Sequence, residues 1–335
     1  MRQKTKLLLL LGVFIVVLTS VRLTWIALQD TPDHPPAVRG VMDLRGWDFE
    51  GSRPIRLDGE WEFYPNRLIT EGPAQEQAAA SSERTTEASF IQVPGNWDTS
   101  LPAHANIGYG SYRLRILVEP NAELTLAIRP MEITASSAIY VNGRLLGHSG
   151  QPSDVPSAYK ADKRLYTATF SNASSEIDLV IQAANFHNVR KGGIIDTLLF
   201  GKSQSIERFS GFTQGMQMML CTVLLIHILY SILLYVIGTR QLPLILFALL
   251  NLFTLLMSLL SDDRLLLDWA PIDYEWNVRL AYVSLNGTHM TLAFLASTLL
   301  PGYVSRRELR WFGLFAGLSL LSSLVPAWIF SFGYL

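Results

Sequence analysis

The 335-residue chain is 49% hydrophobic and 16% charged, and its 27 Lys and Arg against 28 Asp and Glu leave a formal net charge of −1. A balance this close to zero, with no basic patch, argues against nucleic acid as a partner. The single cysteine, Cys221, lies inside an apolar segment. A disulfide framework is thereby excluded, and the polar part of the chain must be held by its own hydrophobic core.

These totals average two unlike parts. Charged residues concentrate between Arg39 and Arg190 and thin out after Phe209, as expected if the last third is solvated by lipid. In chain order, Arg2, Lys4 and Lys6 precede an apolar run from Leu7 to Val21. Residues 1–28 therefore read as a signal peptide or an N-terminal membrane anchor. The apolar character resumes in Trp25–Leu28 and no small-x-small cleavage site precedes Arg22, which favours the anchor. A Pro-rich linker follows over 29–44.

Residues 45–206 carry the pattern of a β-sandwich. Arg53–Tyr64 (RPIRLDGEWEFY) predicts two short strands around a turn at Asp58-Gly59. Further runs of period near two cover Tyr112–Val118, Leu124–Arg129, Ser137–Val141, Arg164–Phe170 and Ile177–Ala183. Turn residues such as Pro120-Asn121 and Asn142-Gly143 separate them. Thr70–Ser89, rich in Ala, Glu, Ser and Thr, interrupts the pattern as a solvated loop or a frayed helix.

Residues 207–335 hold four apolar segments, Phe212–Ile237, Leu242–Leu260, Val278–Leu300 and Trp311–Phe330. Each has roughly 19–26 residues, enough to cross about 30 Å of hydrocarbon. The loop Gly238–Gln241 contains Arg240, and Gly302–Arg310 contains Arg306, Arg307 and Arg310. Between them, Ser261–Trp276 has Asp262, Asp263, Asp268, Asp273 and Glu275 against Arg264 alone. The positive-inside rule puts the Arg-bearing loops and Met1–Lys6 in the cytoplasm, and the β-patterned domain outside.

Five segments carry a family likeness: LDGEWEFY (Leu57–Tyr64), VPGNW (Val93–Trp97), GYGSYRLRI (Gly108–Ile116), IYVNGRLLGHSG (Ile139–Gly150) and IQAANFHNVRKGG (Ile181–Gly193). Together they resemble a galactose-binding-like jelly roll, similar to the sugar-binding module at the N-terminus of family 2 glycoside hydrolases. Followed directly by a multi-helix membrane block, the series more closely resembles the bacterial seven-transmembrane receptors with diverse intracellular signalling modules. The likeness covers Arg53–Phe330, with four of the family's seven helices. It implies a galactose-binding-like jelly-roll sandwich joined to an α-helical membrane bundle, made of an N-terminal anchor and four further transmembrane helices. It also implies three more helices after Leu335 and a histidine kinase, diguanylate cyclase or phosphatase module inside the cell. An even number of spans after the outer domain leaves Leu335 outside, which leads to the same expectation.

Catalysis finds no candidate in these residues. Glu60 and Glu62 share one face of a strand, which suits a solvated face better than a glycosidase cleft. His104, His148 and His187 lack metal-ligand spacing, and no Gly-x-Ser-x-Gly elbow occurs. Neither metal nor cofactor is expected. For a carbohydrate-like or other polar extracellular ligand, aromatic faces beside amides on loops are the appropriate chemistry. They point to Asn96, Trp97, Tyr109, Asn185, His187, Asn188 and Arg190, with Asn185–His187 first. Within the spans, His227, Asn251, Asn286 and His289 fall near mid-membrane and read as a polar layer that must face the bundle interior.

The reading is a ligand-sensing bacterial membrane receptor, compatible with a homodimer. The alternative is a membrane-tethered carbohydrate-binding scaffold whose helices only anchor it.

Overall fold

The computed structural model describes residues 2–29, 31–51, 53–70, 88–98, 100–101, 106–299 and 305–322. Most of the Thr70–Ser89 loop, His104, the start of the loop at 302–310 and the end of the Trp311–Phe330 segment lie outside the described residues. Helix α1 spans Arg2–Gln29. Eleven strands then build two sheets.

The larger sheet runs β4 (Ser89–Val93), β3 (Gly59–Pro65), β5 (Gly108–Leu117), β10 (Glu176–Asn185), β7 (Ser136–Val141) and β8 (Arg144–Ser149), and β1 (Val41–Asp43) lies parallel to the end of β5. The smaller runs β2 (Ile55–Arg56), β11 (Leu198–Lys202), β6 (Asn121–Pro130) and β9 (Ala168–Asn172). Every pairing but that of β1 is antiparallel. Trp61, Phe63, Leu114, Ile116, Ile139, Leu179 and Ile181 from the larger sheet share one core with Ile55, Leu126, Ile128, Leu198 and Phe200 from the smaller. The two sheets therefore form a sandwich. Strand β5 shows the cause: Tyr112, Leu114 and Ile116 alternate inward while Arg113 and Arg115 turn out, as a period of two requires.

Outside the core, Arg113 sits between Glu62 at 3.3 Å and Asp178 at 2.7 Å. The Tyr64 hydroxyl donates to Glu62 at 2.8 Å. Burial, followed by that carboxylate, pushes the Tyr64 hydroxyl up to about 12. Glu62 is thus tied into an ion-paired patch on the outer face of the sheet.

The strands flanking Asp58-Gly59 do not pair with each other. β2 joins β11, whereas β3 joins β4 and β5, so the turn carries the chain from one sheet to the other. Gly59 makes the crossing with φ +135° against the backbone of Ala37, where a Cβ would collide. Asn142-Gly143 behaves as its composition implies, with φ +48° and +76° joining β7 to β8. Arg164–Phe170 becomes a strand only from Ala168, and the carbonyl of Lys163 before it accepts from the Arg264 guanidinium.

Helix α2 (Ser203–Leu234) continues directly from β11 and ends in a π-helical turn over Tyr235–Thr239. Helices α3 (Leu242–Leu260), α4 (Leu265–Trp269), α5 (Tyr274–Leu299) and α6 (Arg306–Ser322) follow. α3 packs against both α2 and α5, and α6 packs against α5. Gly287 of α5 lets the Phe253 ring of α3 approach; a Cβ there would lie 2.6 Å from it. Among the described residues two helices are long and apolar enough to cross a membrane, Ser203–Gly238 and Leu242–Leu260, where the sequence pattern predicts five spans. Helix α5 falls short because it carries Glu275, Asn277, Arg279, Asn286 and His289; the first and last of the predicted spans lie partly outside the described residues.

Ile181 sits fully buried on the central strand β10 between the sheets. Replacing it with alanine should cost about 2–5 kcal/mol, read as a lower unfolding midpoint of the sandwich in thermal melts.

Candidate functional site

Among the described residues several contacts join the sandwich to the helices. Ile206 and Phe209 at the start of α2 pack on Ala127, Leu199 and Met131. Tyr274 at the start of α5 enters a cluster with Ala135, Tyr159 and Ala184, bordered by Tyr109, Phe186 and Val278. Between these two, Arg129 of β6 pairs with Asp263 of the α3–α4 loop at 3.1 Å, with the side chains only 10% and 5% exposed. Arg129 also donates to Thr167 Oγ1 at 3.2 Å. The acidic loop after α3 therefore meets the sandwich directly. Two of its other acids are used locally: Asp273 accepts from the Trp276 N–H at 2.8 Å, and Glu275 pairs with Arg279 at 2.9 Å.

A cavity of about 280 Å³ opens at this seam. One wall belongs to the sandwich and consists of Glu132, Lys163, His187, Asn188, Arg190 and Lys191; the other belongs to α5 and consists of Tyr274, Val278, Ala281 and Tyr282. His187 lies between the halves, its ring 5.4 Å from that of Tyr159 and 5.6 Å from that of Tyr274.

The loop that supplies half of the sandwich wall is pinned by amides. Asn185, at the end of β10, is fully buried. Its Nδ2 donates to the carbonyls of Asn106, Asn188 and Lys191 at 2.8, 2.6 and 2.9 Å. Its Oδ1 accepts from the N–H groups of His187 and Asn188 at 3.2 and 2.8 Å. Asn188 Oδ1 accepts in turn from the N–H groups of Arg190 and Lys191 at 2.9 and 3.2 Å. Asn96 Oδ1 accepts from the Gly192 N–H at 2.9 Å. Trp97 is fully buried and donates from Nε1 to the Asn106 carbonyl at 3.0 Å. Gly192 leaves room for that indole, since a Cβ would run into Nε1. The side-chain amides thus satisfy a run of backbone groups that has no strand to pair with.

Of the residues singled out in the sequence, His187, Asn188 and Arg190 line the cavity. Asn96, Trp97 and Asn185 shape the loop from behind, and Tyr109 packs beside the Tyr159–Tyr274 cluster. Glu132, Lys163, Tyr274 and Tyr282 were not legible, because they come from segments far apart in the chain. Lys191 had a signal, adjoining Arg190 within the IQAANFHNVRKGG segment.

The electrostatics of the cavity are lopsided. Burial, with help from Arg264 and Lys191, lowers the Lys163 ammonium, and Glu132 opposes the shift. The Lys163 Nζ stands 5.7 Å from the Tyr274 ring centroid. Burial also lowers the His187 imidazole, against the pull of Glu275. The Tyr274 hydroxyl is raised, first by burial and then by Glu132.

The four polar residues of the bundle are distributed over different environments. His227 is exposed, bonds the Val223 carbonyl at 2.7 Å and meets Phe247 edge-on at 6.0 Å. Asn251 is buried and donates to the Phe247 carbonyl at 2.7 Å. Asn286 donates to the Tyr282 carbonyl at 3.0 Å and accepts from Ser319 of α6 at 3.0 Å. His289 is exposed. Among the described residues no group of three or more His, Cys, Asp or Glu side chains is placed to hold a metal ion.

No family model and no curated protein sequence matches the chain. Solved structures that resemble it include a family 2 β-galacturonidase from Eisenbergiella tayi, at 14% identity and a TM-score of 0.30, covering 45% of this chain and 25% of that one. A β-glucuronidase from an uncultured Clostridium species matches at 16% identity and a TM-score of 0.32, covering 45% and 29%. The Ruminococcus gnavus β-glucuronidase matches at 11% and 0.32, covering 44% and 28%. The chain thus spans between a quarter and a third of the length of these enzymes, and likenesses this weak carry no conclusion about activity.

Removing one partner of a buried ion pair leaves the other charge uncompensated, at a cost of about 3–5 kcal/mol. Asp263→Ala should therefore lower the thermal midpoint of the full chain sharply. The double variant Arg129→Met with Asp263→Leu should recover most of the loss.

Proposed function

We propose that this chain is the ligand-sensing and transmembrane part of a bacterial signalling receptor. In this reading the sandwich lies outside the cell membrane, and α1 together with α2, α3, α5 and α6 belongs to a multi-pass bundle of the seven-helix type. The ligand is a small polar molecule of carbohydrate type, and the output module is cytoplasmic. The observation that carries the proposal is the construction of the cavity: one wall is sandwich and the other is a bundle helix. Any occupant touches both, so its binding energy depends on how the two halves are docked. A ligand shifts a conformational equilibrium only by its differential affinity for the two states, and moving 1:99 to 99:1 needs about 5.5 kcal/mol. A site wholly on the outer end of the sandwich would have no such leverage on the helices.

Two further observations support the orientation. The acidic loop 261–276 meets the sandwich, while Arg240 lies at the opposite end of α2 and α3, in keeping with the positive-inside rule. Helix α2 also continues from β11 without a linker, so a tilt of the sandwich is transmitted to α2 through continuous backbone.

The test uses the full chain in lipid nanodiscs, with Cys221→Ser and spin labels at Arg144→Cys on the sandwich and Leu299→Cys on α5. A panel of neutral and acidic monosaccharides is screened by thermal stabilisation, where a hundredfold excess over Kd should contribute about 2.7 kcal/mol. A stabilising ligand should also shift the distribution of distances between the labels. Stabilisation with an unchanged distribution would favour a tethered scaffold, and no stabilisation across the panel would overturn the assignment of a sugar-like ligand.

A further inference from the structure

The seam cavity carries more chemical information than its position. Lys163, Arg190 and Lys191 line it against a single carboxylate, Glu132, and His187 adds a group that can gain positive charge. Among the described residues no carboxylate lies within 4.0 Å of the Lys163 Nζ; its nearest recorded partner is the Tyr274 ring. The Nδ1 atom of His187 is buried and has no hydrogen-bond partner. Buried polar atoms and buried charges are ordinarily paired, so each such exception calls for an explanation. Here an ammonium with no ion pair within 4.0 Å borders the open space, and the His187 ring lines the same wall. The facing wall, Tyr274, Val278 and Ala281, offers a ring face and aliphatic surface. At about 280 Å³ the space lies just below the range of roughly 300–1,000 Å³ typical of sites for drug-sized ligands, which suits a single ring.

We infer that the seam cavity binds a small cyclic hydroxy-carboxylate, such as a sugar acid, whose carboxylate pairs with Lys163 and whose ring lies on Tyr274. The inference rests on the receptor reading given above and narrows its ligand class. Glu132 accepts a ligand hydroxyl, and the His187 imidazole bonds a second. The carboxylate draws Lys163 away from the Tyr274 ring, so the pairing that anchors the ligand also alters a contact between sandwich and helix. A neutral sugar would fill the same space and leave the ammonium uncompensated, and the site discriminates against it on that ground.

The probes are quinate and glucuronate, each compared with its methyl ester, on the full chain in phosphatidylcholine nanodiscs by titration calorimetry. The free acids should bind at least tenfold tighter than the esters. Lys163→Met should abolish that preference, while Lys163→Arg should retain part of it. In the absence of ligand, Lys163→Met should leave the thermal midpoint unchanged or raise it, because the ammonium makes no ion pair within 4.0 Å; a fall would mark Lys163 as a structural group and overturn the proposal. Equal binding of acids and esters would also overturn it while leaving the receptor reading intact. If a neutral monosaccharide that stabilises the chain binds more tightly than either acid, the carboxylate class is wrong and the seam remains a ligand site. If phosphatidylglycerol discs give the same stabilisation with no acid added, the anion is a lipid headgroup and the proposal fails.

Discussion

The buried ion pair between Arg129 and Asp263 is the constraint on which the joint between the two halves depends. Its exposures of 10% and 5% place both charges out of water, so separating the halves at this point would need both to be rehydrated or left unpaired. Buried pairs seldom add much net stability, but they penalise alternative dockings heavily. The pair therefore fixes where the α3–α4 loop meets β6 more than it strengthens the meeting. Arg264, next in the chain, reinforces the register by donating to the Lys163 carbonyl.

Everything at the cavity follows from that register. Holding the loop against β6 sets the start of α5, which delivers Tyr274 to the Tyr159–Ala184 cluster. Tyr274 then brings an aromatic wall to face Lys163 and His187. The cavity is the space left where a cationic loop and a helix meet around one aromatic contact.

The sandwich wall is built differently, by amide hydrogen bonds. Asn185 satisfies backbone groups from Asn106 to Lys191 with one side chain, and Asn96 and Asn188 complete the set. An asparagine that saturates its hydrogen-bonding capacity inside the protein does not contact ligand directly. It sets the positions of His187 and Arg190, which do face the space. One wall is held by hydrogen bonding and the other is placed by packing.

Alternating apolar residues in Tyr112–Val118 dictated a strand with one buried face, the short run Ile177–Ala183 dictated a strand that proves buried on both faces, and the apolar runs after Phe209 dictated helices, because these patterns are local and follow backbone periodicity. The left-handed turn at Asn142-Gly143 was equally local. The sequence also singled out the loop at 185–190, where the structure uses the amides of Asn185 and Asn188 to satisfy backbone groups. Only the tertiary structure decided that the strands around Asp58-Gly59 serve different sheets, because strand partners are chosen by distant segments and not by the turn between them. Only it brought Glu132, Lys163 and Tyr274, separated by 142 positions at the extremes (274 − 132), to one cavity. Their proximity comes from an ion pair between residues 134 positions apart, and no local period encodes a contact of that range.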